Sequence, residues 1–234
     1  MMTAQTGTLF IVATPIGNLK DMTDRAQDIL KGADLIACED SRHTGMLLKH
    51  FDIRTKMISF HDHSHAGKTD RILSELLAGK HVALVSDAGT PLISDPGFPL
   101  VRDAIQRGIR VEGIPGPCAA INALVLSGFA CEPFSFFGFL PPKDKKRRDW
   151  LNELVDEKRT LVFYESPYRL LKTLQDIADI FGDRRMIVAR EMTKKFEEVI
   201  RGSAKSALNH FEGKKILGEI VIVIEGVLRK VRHE

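Results

Sequence analysis

Five short runs in the first half of the chain are apolar through their middles without a break: TLFIVAT (8–14), ADLIACE (33–39), KMISF (56–60), HVALVSD (81–87) and IRVEGIP (109–115). A strand with one wet face alternates polar and apolar residues. An unbroken run therefore belongs to a strand covered on both faces, as in a parallel sheet flanked by helices. The segments between them, DMTDRAQDILKG, SRHTGMLLKHF, KTDRILSELLAG and FPLVRDAIQRG, repeat apolar residues at three- and four-residue spacing, and Gly ends three of the four. That is helix periodicity with a C-terminal stop, so the first half reads as a βα repeat.

A second set of elements follows a Gly/Pro-dense boundary. IPGPCAAINALVLSG (114–128) predicts a turn and a small-residue helix, FSFFGFL (134–140) a strand and PPKDKKRRDW (141–150) a charged loop. TLVFYES (160–166), MIVAREM (186–192), EEVIRGS (197–203) and GEIVIVIEG (218–226) predict strands, and AKSALNHFEG (204–213) a helix. Between the first two strands PYRLLKTLQDIADIFG (167–182) predicts a helix capped by Ser166, with Pro167 in its first turn and Gly182 as its stop. The expected class is α/β, with an N-terminal, mostly parallel sheet flanked by helices over 1–116. A C-terminal mixed sheet with helices is expected over 117–228, and a basic tail over 229–234.

Composition narrows the setting. With 234 residues and 44% apolar content the chain can bury one large core or two smaller ones. A formal charge of +3 does not by itself announce a nucleic-acid binder. Cys38, Cys118 and Cys131 form no CxxC and are odd in number, which favours reduced thiols in a cytoplasmic protein. No positive n-region precedes the first apolar run, and no run reaches the ~18 residues of a membrane span.

Ligands of open α/β sheets sit outside the carboxyl ends of the strands. Three such ends here are rich in small residues and proline: TPIGN (14–18), SDAGTPLISDPG (86–97) and PGPCAA (115–120). Glycine and alanine admit close backbone approach, and Pro91, Pro96 and Pro99 stiffen the second loop in advance. Ordinary tight turns would give the same pattern. As a pocket, these loops would read a ligand largely with backbone groups. TPIGNL offers one glycine where a dinucleotide fingerprint needs three, and AGKTD (66–70) lacks the first P-loop glycine, since position 62 is Asp62. A nucleoside without phosphates fits better, and S-adenosylmethionine meets that description.

Three further stretches carry candidate chemistry. His61, His63 and His65 alternate in HDHSH, but no partner stands at a recognised metal spacing, so no metal is expected. ACEDSRHTG (37–45) ends the second strand with Glu39 and Asp40 and opens a helix with Arg42 and His43. It is either a helix cap with solvated charges, or a site where Arg42 meets a phosphate and an acid or imidazole meets a hydroxyl proton. KDKKRR (143–148) sets five cations in six residues, either a solvated loop or an arm tracking a nucleic-acid backbone. Phe134, Phe136, Phe137 and Phe139 upstream fit a core strand better than a base-stacking platform.

ATPIGNL, CEDSRHTG, LVSDAGTPLISDPG, PGPCAA, FYESPYRL and AREMTKKFEEVIRG, in that order, resemble the small-subunit ribosomal RNA methyltransferase I family over about residues 8–226. That family belongs to the tetrapyrrole-methylase-like (class III) enzymes. The resemblance implies two α/β domains with S-adenosylmethionine in the cleft between them and a homodimer. It implies methylation of a cytidine ribose 2′-oxygen in 16S rRNA of the small subunit, with neither DNA nor membrane as partner. Carried onto this sequence, it places the cofactor on Pro15, Gly17, Asp87, Ala88, Gly89, Thr90, Ile93, Ser94, Cys118 and Ala119, with Tyr164, Glu165, Ala189 and Met192 from the second domain. Asp40, His43 and Glu39 are the candidates for removing the ribose proton, and Arg42, Lys146, Arg147 and Arg148 for holding RNA phosphates. The chain departs from the family pattern at Cys118, where serine or threonine is usual, and at Ser41, where threonine is commoner. Two other functions share these features: methylation of a tetrapyrrole or other small molecule, and a non-catalytic cofactor-binding ribosome factor.

Overall fold

The computed structural model describes residues 6–60 and 66–227; the HDHSH cluster and the basic tail lie outside the described residues. The chain divides into two compact units, 1–118 and 119–234.

The first unit carries β1 (Thr8–Val12), β2 (Leu35–Cys38), β3 (Met57–Ser59), β4 (Val82–Val85) and β5 (Arg110–Ile114). All pair in parallel, in the order β3-β2-β4-β1-β5. Helices α1 (Asp24–Gly32), α2 (Ser41–His50), α3 (Ala66–Leu77) and α4 (Phe98–Gln106) link them in turn. In the centre of the sheet the unbroken apolar runs have the expected cause, while the edge strands β3 and β5 are partly exposed. Ala83 and Val85 face Ala26, Leu30 and Leu48 of α1 and α2, while Val82 and Leu84 face Ile72, Leu73, Leu76 and Leu100 of α3 and α4. The strand order follows from those links: β1 connects outward through α1 to β2 and then β3, whereas β4 connects through α4 across β1 to β5. The connections thus diverge between the neighbours β1 and β4, which makes their carboxyl ends the topological switch point of the sheet.

The second unit carries α5 (Ala119–Ser127), β6 (Phe134–Phe139), α6 (Asp144–Glu153), β7 (Thr160–Glu165), α7 (Leu170–Phe181), β8 (Met186–Arg190), β9 (Glu198–Gly202), α8 (Ala204–Phe211) and β10 (Ile220–Ile224). Its mixed sheet runs β6-β7-β10-β8-β9, with β6 parallel to β7 and every other pair antiparallel. One face packs Leu161, Phe163, Val188 and Ile222 on Leu174, Ile177 and Phe181 of α7 and on Ala207 and Phe211 of α8. The small-residue helix α5 packs against β7, β8 and β10.

Two expected elements change. The stretch expected as a loop over 141–150 is mostly helix, because Asp144 to Glu153 has an amphipathic seam that the run of charges hides: Leu151 is fully buried and Arg147 lies beside it. The helix expected from Pro167 begins at Leu170 instead. The chain first makes a turn in which the Arg169 N–H donates to the Ser166 carbonyl (3.0 Å), and Ser166 caps no helix. The four phenylalanines of β6 split between the two faces of the strand. Phe137 stacks on Phe163 and meets Trp150 edge-on, whereas Phe136 and Phe139 lie against Tyr164.

Candidate ligand site at the switch point of the parallel sheet

Where β1 and β4 end, their chains stay joined for one more step. Thr14 and Gly89 exchange backbone hydrogen bonds, Thr14 N to Gly89 O at 2.9 Å and Gly89 N to Thr14 O at 3.0 Å. Two buried hydroxyls lock the same corner, Thr14 Oγ1 donating to Ser86 O (3.3 Å) and Ser86 Oγ to Gly89 O (3.3 Å). The third loop is tied in by Thr90 Oγ1, which donates to Pro117 O at 2.9 Å. The loops at 13–17, 86–97 and 115–118 therefore form one braced ledge, and all of it belongs to the first unit.

Glycine is required at Gly89. Its φ is +85°, and a Cβ there would stand 3.2 Å from Ile16 Cγ2 and 3.6 Å from Pro117 O. The same loop places Leu92 (φ 70°) and Ser94 (φ 71°) in the left-handed region. Side chains there are strained by about 1–2 kcal/mol each, and such strain clusters where a loop is shaped for a ligand. Of the residues expected to hold the cofactor, Pro15 and Gly89 are buried in the ledge. Asp87, Ala88, Thr90 and Cys118 are half-buried along it, and Gly17, Ile93 and Ser94 are exposed at its rim. A ledge of small residues, backbone polar groups and two carboxylates, Asp87 and Asp95, suits a nucleoside-like, cationic group better than a phosphate.

The neighbouring strand end is coupled to this ledge. The Asp40 N–H donates to Asp87 Oδ1 (3.0 Å), joining the end of β2 to the turn after β4. Asp40 itself caps α2, its Oδ1 accepting from Arg42 N (2.7 Å) and His43 N (3.4 Å). Those amides hold its carboxyl below the usual carboxylate range. The cap's stabilisation is thus complete at neutral pH and is lost only as pH falls through that lowered value. Ser41, Arg42 and His43 are exposed on the first turn of α2, and Glu39 is half-buried at the end of β2. We expect Asp40→Ala to lower the thermal unfolding midpoint, and Asp40→Asn, which keeps a side-chain acceptor, to restore most of it. If Asp40 were a proton acceptor, the two variants would be equally inactive in a methylation assay.

In the second unit the expected residues fall into two groups. Ala189 is buried in β8, and Met192 is buried just after it, where its sulfur lies 3.8 Å from Asn122 Nδ2. Tyr164 packs on Phe136 and Phe139. Glu165 has another task. Its oxygens accept from Thr173 Oγ1 (2.6 Å) and Ser166 N (2.6 Å) and pair with Arg169 (2.7 Å), so this buried acid organises the start of α7. Arg147 likewise has its partners inside the unit. It is 2% exposed, with Asp176 at 2.7 Å and Asp144 at 3.0 Å, and its guanidinium is taken up inside the unit. Arg148 is half-exposed but paired with Asp176 (2.6 Å) and Asp179 (2.9 Å), while Lys146 is exposed. Of the cations expected to face RNA, Arg42 and Lys146 are therefore the two left uncommitted among the described residues.

Sequence reasoning missed the bracing pair Thr14 and Ser86. The available signal was a lone hydroxyl residue at the end of an otherwise apolar run, twice over.

Comparison with known proteins gives consistent matches. The family model for tetrapyrrole (corrin/porphyrin) methylases matches residues 8–208. A ribosomal RNA small subunit methyltransferase I from Halalkalibacterium halodurans is 50% identical over 228 residues, covering 97% of this chain and 79% of its own. The protein of that name from Escherichia coli O157:H7 is 49% identical, with coverages of 94% and 78%. Solved structures share the fold at low identity. A uroporphyrin-III-C-methyltransferase from Thermus thermophilus matches at a TM-score of 0.63 and 18% identity, covering 94% of each chain. A diphthine synthase matches at 0.70 and 12%, covering 95% of this chain and 92% of the other.

Proposed function

The chain belongs to the ribosomal RNA small subunit methyltransferase I family and to the tetrapyrrole methylases, and from that premise we propose that it methylates the ribose 2′-oxygen of a cytidine in 16S rRNA, using S-adenosylmethionine held on the switch-point ledge. The observation that carries the cofactor assignment is the ledge itself: three preformed loops meet at Gly89, and the smallest side chain would already press on Ile16.

Bound there, S-adenosylmethionine would supply an activated methyl group for in-line displacement. The protein's part is alignment and proton removal. Backbone groups of Asp87 to Thr90 and of the Pro15–Gly17 loop fix the donor, and the rigidity already built into the ledge lowers the entropic cost of aligning it with the acceptor. The first turn of α2, tied to the ledge through Asp40 N–H and Asp87 Oδ1, presents Arg42 to a phosphate and His43 to the ribose hydroxyl. His43 is the stronger candidate for the proton acceptor, since Asp40 serves as the cap; Glu39 is the alternative. His43→Gln should cost about 10²–10⁴-fold of the transfer rate, whereas an unchanged rate would pass the role to Glu39.

The deciding experiment supplies methyl-labelled cofactor and small subunits from a strain lacking the enzyme, then maps label by mass spectrometry. Label on a cytidine 2′-oxygen is the expected result. Label on a precorrin and none on RNA would replace this reading with that of a small-molecule methylase, and cofactor binding without transfer to either would leave a binding factor.

A further inference from the structure

A groove of about 830 Å³ opens on the opposite, amino-terminal edge of the parallel sheet. It lies where the chain enters β2 at Ala33–Leu35, β3 at Thr55–Lys56 and β4 after Lys80. Five cations line it: Lys31, Arg54, Lys56, Arg71 and Lys80. A second hollow of about 340 Å³, which shares Asp52, Arg54 and Thr55 with the first, extends it past Lys49 to Met57 on the edge strand β3.

Net charge understates this surface. Two of the three acids in the groove are ion-paired, Asp52 with Arg54 (3.1 Å) and Glu75 with Lys80 (2.6 Å), and the third, Asp34, accepts from His81 N (2.8 Å) and keeps its charge against the cations. Lys31, Lys49, Lys56 and Arg71 are left exposed and without an ion-pair partner among the described residues. Four uncommitted cations along one continuous depression suit a polyanion, and neither the cofactor nor a small methyl acceptor has any use for them on this edge.

We infer that this groove is a second docking track for the phosphate backbone of the RNA substrate, separate from the ledge and from the first turn of α2. The inference rests on the ribosomal RNA reading above and extends its footprint. Strands of three to five residues put the two edges about 10–16 Å apart at ~3.3 Å per residue, a span that about three to five phosphates of one stacked strand would cover. An RNA segment that presents its ribose at the carboxyl edge can therefore continue round β3 into the groove.

The test is filter binding of the full-length protein to protein-free 16S RNA and to small subunits across a salt series. A triple variant, Lys31→Gln with Lys56→Gln and Arg71→Gln, should lower the slope of log K against log salt by about 2, since each phosphate contact contributes ~0.7–0.9. Affinity for S-adenosylmethionine should stay unchanged, showing that the first unit remains folded. A double charge reversal, Lys56→Glu with Arg71→Glu, should weaken binding further. An unchanged slope and affinity on both ligands overturns the inference. A change seen only on intact subunits also overturns it, by assigning the groove to an acidic ribosomal protein. If the wild-type protein binds RNA through the groove but transfers no methyl group to it, the catalytic reading fails while the groove stands.

Discussion

Gly89→Arg should abolish binding of S-adenosylmethionine, with a loss of at least about 100-fold by calorimetry, while the circular dichroism of the protein remains that of a folded α/β chain. Three effects act in the same direction. At φ +85° any side chain carries left-handed strain of about 1–2 kcal/mol. A Cβ would stand 3.2 Å from Ile16 Cγ2, and the longer arginine would crowd the ledge proposed to hold the cofactor. The added charge also repels a sulfonium cation. Gly108→Ala is the control for strain alone: φ is +70° there and nothing lies within 4 Å of the added methyl, so stability should fall by about 1 kcal/mol with cofactor affinity intact. Undiminished binding by Gly89→Arg would remove the cofactor from this ledge.

The second large effect is on stability. Arg147 is held by Asp176 and Asp144, and Asp176 is itself only 7% exposed. Truncating one partner leaves the other buried without its counter-charge, which typically costs about 3–5 kcal/mol. Arg147→Ala should sit near the lower end, because Arg148 still reaches Asp176 at 2.6 Å. The paired replacement Arg147→Met with Asp176→Leu should be more stable than either single change, since it removes both charges at once. Chemical denaturation of the four proteins closes the cycle, and additive costs would show that the two side chains do not depend on each other. The result also bears on function: a loss of RNA affinity in the Arg147 variant should track its loss of folding, whereas Lys146→Ala should lower RNA affinity with the unfolding midpoint unchanged.

Gly89 lies in a loop that the sequence singles out, whereas the inward turn of Arg147 is where sequence and structure part company. The βα rhythm was legible because a strand covered on both faces cannot alternate, and Val82 to Val85 shows that directly. The three strand-end loops were legible as loops because glycine and proline cluster where the apolar runs stop. KDKKRR misled because charge counts say nothing about which cation faces inward: helical geometry turns Arg147 toward Asp176, 29 residues away, and leaves Lys146 beside it in solvent. Glu165 gained its partners Thr173 and Arg169 only when α7 folded back onto the strand end, which no local pattern shows.

By itself, the sequence determined most of the elements, the α/β class and the family, because strand and helix periods and the glycine–proline loops are local properties written in consecutive residues. The tertiary structure alone decided which carboxyl ends form the switch point, that Asp87 grips the amide of Asp40, which arginine is buried, and that Lys31, Lys56 and Arg71 share one groove. Each of these depends on residues brought together by the order β3-β2-β4-β1-β5 or by helices docking on a sheet. No window of neighbouring residues contains that information.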